Sequence, residues 1–190
     1  MSQITQEKKL ESFNKRKEFI IDLSHVFIGS LFLALISIFK IPLHPTPMTL
    51  QTYGVFLLPL LLGPKKGALA VLMYLLEASS GWPILSGGNS NPLWFLSPNA
   101  GFLIGFIPAV YLIGYIREKI KVSRLYKTIL VVLLAQMIVY ICGVFELSLF
   151  FGIKKAIFYG VMPFLLTMPI KVIATSLTYH AFCSIKKTKE

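Results

Sequence analysis

Three ionisable side chains, Glu77, Glu146 and Lys171, stand inside stretches that are otherwise apolar. A charge in such surroundings is costly, and it is kept where it has a partner, lines a wet cavity or serves function. Helical rise gives their depths. Glu77 follows Lys66 by 11 residues, or about 16 Å of helix. Glu146 follows Thr128 by 18 residues, about 27 Å. Lys171 precedes Lys186 by 15 residues, about 22 Å. In a bilayer core about 30 Å thick, all three fall at or beyond the middle. That similarity of depth points to one shared polar cavity open on the far side. The alternative is three unrelated residues, with Glu146 at the interface and Lys171 snorkelling along its own stem.

Lys171 is the sharpest of the three. A lone ammonium in a low-dielectric pocket requires an anionic partner, either a protein carboxylate or the carboxylate of a ligand. Asn89 and Asn91 offer paired amide donors and acceptors to a neutral polar ligand, and Thr49, Gln51 and Thr52 offer the same at the start of an apolar stretch. Tyr53, Trp82 and Trp94 lie near these positions and can wall an apolar ring. The competing role for aromatics at this depth is the interfacial belt, which suits Trp94 best. There is no G-x-x-x-x-G-K-[ST], so the chain does not hydrolyse ATP through a P-loop. H-E-x-x-H and G-x-S-x-G are also missing, and His25, His44 and His180 lack ligand spacing. Cys142 and Cys183 are far apart in apolar stretches and read as small hydrophobes. No metal and no cofactor are expected.

The elements that must hold these residues are membrane spans. The chain has 190 residues, 55% hydrophobic and only 14% charged, with mean hydropathy +0.72. A soluble domain carries roughly a quarter charged residues, so this one cannot cover a water-facing surface. Disorder needs low hydrophobicity and is excluded as well. A net charge of +11 reads as basic loops facing anionic lipid rather than as nucleic-acid binding.

Residues 1–22 are polar and form a cytoplasmic segment with no signal-peptide pattern. Six apolar stretches follow, at 24–39, 48–63, 67–85, 94–116, 128–151 and 156–185. The last is interrupted by Pro163 and Pro169, which predicts a loop or re-entrant segment near 152–162 and a final helix from Pro163. Residues 23–185 thus form an all-α, six-helix transmembrane domain, and 186–190 a cytoplasmic tail.

The basic residues sort by side. The N-terminal segment holds five, Lys65 and Lys66 make two, the 117–127 loop five and the tail three, whereas the other side holds Lys40, Lys154 and Lys155. The positive-inside rule puts both termini in the cytoplasm of a multi-pass protein of the cytoplasmic membrane. Two outward connections are rich in helix breakers: 41–49 (IPLHPTPMT) and 84–93 (ILSGGNSNPL). Extended backbone near membrane depth is tolerated where it is buried in protein or lines a cavity. Small residues at four-residue spacing, Ser30 and Ala34 in the first stretch and Gly101, Gly105 and Ala109 in the fourth, allow close helix approach. One stripe can pack internally and the other face a partner protein.

The segments PTPMTLQTYGVFLLPLLLGPKKGALAVLMYLLEASSGWPILSGG at 45–88 and SPNAGFLIGFIPAVYLIGYI at 97–116 resemble the BioY family, as does PFLLTMPIK at 163–171. The resemblance runs from about residue 23 to 175 and is specific as a set of motifs. BioY proteins are the biotin-specific substrate-binding (S) components of energy-coupling factor (ECF) transporters. The resemblance implies an S-component-like bundle of six helices with the N-terminus inside. It implies an outward biotin pocket lined by the first and third loops and the last helix. Ser30 and Ala34 would contact a transmembrane coupling subunit that sits on two ATPases.

Four positions depart from the family pattern. Its acid in PFLPGD falls on Met168 and its GPTGG threonine on Asn99, and Glu146 and Glu77 stand where apolar residues are expected, while its lysine is kept as Lys171. Glu146 or Glu77 would then supply the missing carboxylate from another helix. Three rivals stand beside this reading: an S component for another vitamin, an intramembrane enzyme using Glu77 and Glu146 as an acid–base pair, and a solitary secondary transporter.

Overall fold

The computed structural model describes residues 2–41, 48–120, 122 and 124–188. The expected extended backbone at 42–47, with His44, lies outside the described residues. Helices α1 (Ser2–Ile38), α2 (Gln51–Leu62), α3 (Pro64–Ser79), α4 (Ala100–Ile120), α5 (Leu125–Phe151), α6 (Ile153–Gly160), α7 (Met162–Leu165) and α8 (Met168–Thr188) form one all-α bundle. A two-residue antiparallel ladder, β1 (Lys40–Ile41) with β2 (Met48–Thr49), and a single 3-10 turn at Trp94–Leu96 complete the ordered elements.

Among the described residues, three helical segments are long and apolar enough to cross a membrane: Phe13–Ile38, Ala100–Ile120 and Leu125–Phe151. Ile153–Leu165 and Met168–Thr188 pass together as one span bent by 50°. Helix α2 is apolar but short. Helix α1 begins at Ser2 and carries the polar N-terminal stretch unbroken into the first apolar one. One expectation changes. The last stretch is helical through 153–160, and its final helix starts at Met168 rather than Pro163. Pro163 instead lies in the first turn of the four-residue α7, while Pro169 stands in the first turn of α8, where a missing N–H costs nothing.

The outside is apolar and the packing inside is close. Phe27, Leu31 and Leu35 of α1, Leu69, Leu72 and Leu76 of α3, and Leu130, Leu134 and Ile141 of α5 are all exposed. This is the surface of a protein whose solvent is lipid. Leu33, Phe56, Leu60, Val71, Tyr74, Val110, Ile113 and Val132 are fully buried.

Small residues set the helix spacing. A Cβ at Gly101 would strike the Cys142 carbonyl, and one at Gly143 would strike the Phe102 ring, so α4 and α5 approach backbone to side chain. Gly29 of α1 lies against Ala70 of α3. Gly63, at φ +85°, turns the chain between α2 and α3, and Pro64 then packs on Gly114 of α4.

The two ends of the bundle differ. At one, Asp22 pairs with Lys66, Glu118 abuts Gly63, and Arg117 donates to Tyr179 Oη at 3.4 Å. At the other, the C-terminal end of α1 is tied to both long connections. Ser37 donates to the Ile84 carbonyl, Gly87 N–H donates to the Ser37 carbonyl at 2.8 Å, and Leu50 N–H donates to the Phe39 carbonyl at 3.2 Å.

Candidate functional site

A cavity of about 530 Å3 opens at the end opposite the charged cluster. Helices α2, α4, α5 and α8 supply most of its wall. These residues are Gln51 and Thr52 of α2, Phe102, Leu103 and Phe106 of α4, Gln136, Val139, Tyr140 and Leu147 of α5, and Lys171 of α8. Thr49 at the end of the short ladder, Ser86, Asn89 and Asn91 from the 84–93 connection, and Ser97 and Asn99 before α4 form the mouth. Trp94, Tyr159 and Phe164 add aromatic wall. The size and the mix, largely apolar with a few convergent polar groups, are those of a small-molecule site.

Lys171 is 7% exposed. Its Nζ donates to Thr52 Oγ1 at 3.0 Å, and among the described residues no carboxylate lies within 4.0 Å of it. The fourth residue of α8 thus holds an ammonium at the cavity wall with a neutral hydroxyl as its protein partner. Gln51 donates to Tyr74 Oη at 3.0 Å, and Tyr74 donates to the Ile84 carbonyl at 2.8 Å. That relay fixes both the start of α2 and the third connection. Asn89 Nδ2 donates to the Ser86 carbonyl at 2.9 Å, which shapes the mouth loop through its Gly87 and Gly88 turn.

Of the residues singled out in the sequence, Lys171, Thr49, Gln51, Asn89, Asn91 and Asn99 line the cavity; Tyr53, Trp82, Glu77 and Glu146 do not. Tyr53 turns to α8 and donates to Thr178 Oγ1 at 3.0 Å. Glu77 faces α1, where Oε1 accepts a hydrogen bond from Ser30 at 2.9 Å and Oε2 is buried without a partner. Glu146 is one position from the cavity-lining Leu147, which rotates it about 100° toward α4, where its Cβ abuts Gly101. The two residues therefore occupy different helix interfaces, and neither is among those that line the cavity. Met168 itself packs on the hydrophobic core. Ser30 is fully buried and Ala34 is 8% exposed. Ser30 meets the chain's own α3, where it donates to Glu77.

The tryptophans exchange their expected roles. Trp82 is 53% exposed, whereas Trp94 is buried, with Nε1 donating to Ser79 Oγ at 2.9 Å and the Leu75 carbonyl at 3.2 Å. Sequence reasoning also missed Gln136 and Tyr140. The available signal was two polar groups one turn apart inside the apolar run LLAQMIVYIC.

The model of the BioY family matches residues 6–188. The probable biotin transporter BioY of Pyrococcus horikoshii is 34% identical over 149 residues, covering 77% of this chain and 88% of its own length. The biotin transporter BioY of Thermotoga maritima is 37% identical over 139 residues, covering 73% of this chain and 81% of its own. The crystal structure of an S-component for biotin from an ECF-type ABC transporter superposes with a TM-score of 0.78 at 26% identity. That match covers 88% of this chain and 93% of the other.

Proposed function

The chain belongs to the BioY family, and on that premise we propose that it binds biotin in the cavity and mediates its uptake as the S component of an ECF transporter. It is a membrane transporter component and not an enzyme. One observation carries the binding reading: a buried ammonium, Lys171, faces a largely apolar cavity with only a neutral hydroxyl as protein partner. A ligand carboxylate completes the pair there, in a place where water is largely excluded and a charge-assisted bond is strong. Phe102, Phe106, Trp94 and Phe164 cover an apolar bicycle, and the neutral amides suit a ureido group. No covalent step is involved.

Six spans follow from counting α1 beyond Phe13, then α2, α3, α4 and α5, with α6 to α8 together as the sixth. The basic residues at the Asp22–Lys66 end put that end and both termini in the cytoplasm, and the cavity then opens outward from the cytoplasmic membrane. A transmembrane coupling subunit and two ATPases supply the driving force. The transporter origin of the structurally similar S-component supports those partners, and the sequence carries no P-loop signature of its own.

Calorimetry of the detergent-purified chain with biotin tests the reading. Saturable binding at one site per chain is expected. Absence of binding, with the protein shown folded, refutes it. A second reading, an S component for another carboxylate-bearing vitamin, draws on Met168 in place of the family's acid. Displacement of biotin by a tighter vitamin in competition would select it.

A further inference from the structure

Tyr140 and Gln136 sit one turn apart on α5 and both line the cavity, which places their polar ends on one face. The Tyr140 hydroxyl is buried and has no hydrogen-bond partner. Gln136 is 5% exposed and lines the cavity beside it. Buried polar groups are nearly always paired, so an unpaired hydroxyl on the cavity wall requires an explanation. The other partnerless buried atoms, Glu77 Oε2 and Thr175 Oγ1, do not border the cavity.

Lys171 stands on a different wall of the cavity at a comparable height. Thr128 of α5 and His180 of α8 are hydrogen-bonded at 2.9 Å. Counted from that contact toward the mouth, Lys171 is nine residues along α8, Gln136 eight along α5 and Tyr140 twelve, or about 13, about 12 and about 18 Å. The cavity therefore has a cationic wall on α8 and a neutral, hydrogen-bonding wall on α5.

We propose that Gln136 and Tyr140 are the specificity-determining contacts for the ureido ring of biotin and replace the acid lost at Met168. This rests on the biotin reading of the preceding subsection. A cyclic urea presents one carbonyl and two N–H groups. The Tyr140 O–H donates to the carbonyl oxygen. Gln136 Nε2 donates to the same oxygen while Oε1 accepts from the neighbouring N–H, an amide matched edge to edge with a cis-amide. A neutral head group on neutral partners avoids burying an acid against α5, and the ligand's one charge stays with Lys171 on the α8 wall. Binding the ring pairs the Tyr140 hydroxyl, which has no partner among the described residues.

The test uses the full chain in detergent, with biotin and 2-iminobiotin, in which the urea oxygen is replaced by an imino nitrogen. Tyr140→Phe and Gln136→Leu are each expected to weaken biotin binding roughly tenfold or more, as loss of a buried hydrogen bond does. Each should also shrink the preference of the parent for biotin over 2-iminobiotin, with the melting temperature of the free protein unchanged or raised. If Gln136→Leu lowers that temperature, Gln136→Met of matched length replaces it. Parent-like affinity in both variants overturns the proposal. So does weaker binding with the biotin preference intact, which is the mark of a merely structural role. If the parent itself does not bind biotin, the underlying reading falls, and that outcome is separate from both.

Discussion

Replacing Lys171 by Met keeps the length of the side chain and removes the charge. In the free protein the ammonium is 7% exposed and bonded to Thr52 alone. Removing it therefore relieves an uncompensated burial, and Lys171→Met should melt at the parent temperature or above it. In the complex the same change leaves a ligand carboxylate without its partner. Breaking a buried ion pair costs about 3–5 kcal/mol, and the open mouth argues for the lower figure, about 3 kcal/mol, or roughly 150-fold in Kd. Calorimetry with biotin and with its methyl ester separates this from general damage. The parent should prefer acid over ester by about two orders of magnitude, and the variant should show almost no preference. Two results would defeat the reasoning: parent affinity for biotin in Lys171→Met, or an acid-to-ester ratio that survives the loss of the charge.

Other consequences can be checked with the same preparations. Ser30→Ala removes the hydrogen bond to Glu77 and should cost about 1–3 kcal/mol of stability, read as a lower melting temperature with biotin affinity within about twofold. An unchanged melting temperature would show that the contact contributes nothing. Gly143→Ala drives a methyl into the Phe102 ring, an overpacking worth about 1–3 kcal/mol. Because Phe102 also walls the cavity, both stability and biotin affinity should fall, and loss of neither would contradict the packing. A cysteine at the exposed mouth residue Ser90, in a chain lacking Cys142 and Cys183, should react with a membrane-impermeant maleimide in right-side-out vesicles. Reaction only in inverted vesicles would reverse the topology.

What the sequence makes readable is position along a helix; what it hides is rotation about it. Lys171, Glu77 and Glu146 were placed at comparable depth by counting residues, yet only Lys171 lines the cavity. Glu77 is turned to Ser30 by the close approach of α1 and α3 at Gly29 and Ala70. Glu146 is turned to Gly101 because α4 and α5 interlock there. Neither rotation follows from the hydropathy of a single stretch. The tryptophans make the same point, since both lie near the outer boundary. Trp94 is folded under by a 3-10 turn and held by Ser79 and Leu75, while Trp82 remains outside. The mouth was legible from composition, because a run such as SGGNSN can satisfy its backbone only where polar side chains and a cavity accompany it. The α5 wall was not, because Gln136 and Tyr140 stand singly within an unbroken apolar run with no helix breaker beside them.

The hydrogen bonds at the tip of α1 have a mechanical corollary. Ser37 grips Ile84 and Gly87 on one lip, and Phe39 grips Leu50, beside Thr49, on the other. A single rod end thus acts as a shared hasp. Both sides of the entrance are thereby anchored to one helix end, and drawing either away from it breaks the hydrogen bonds that fasten it there.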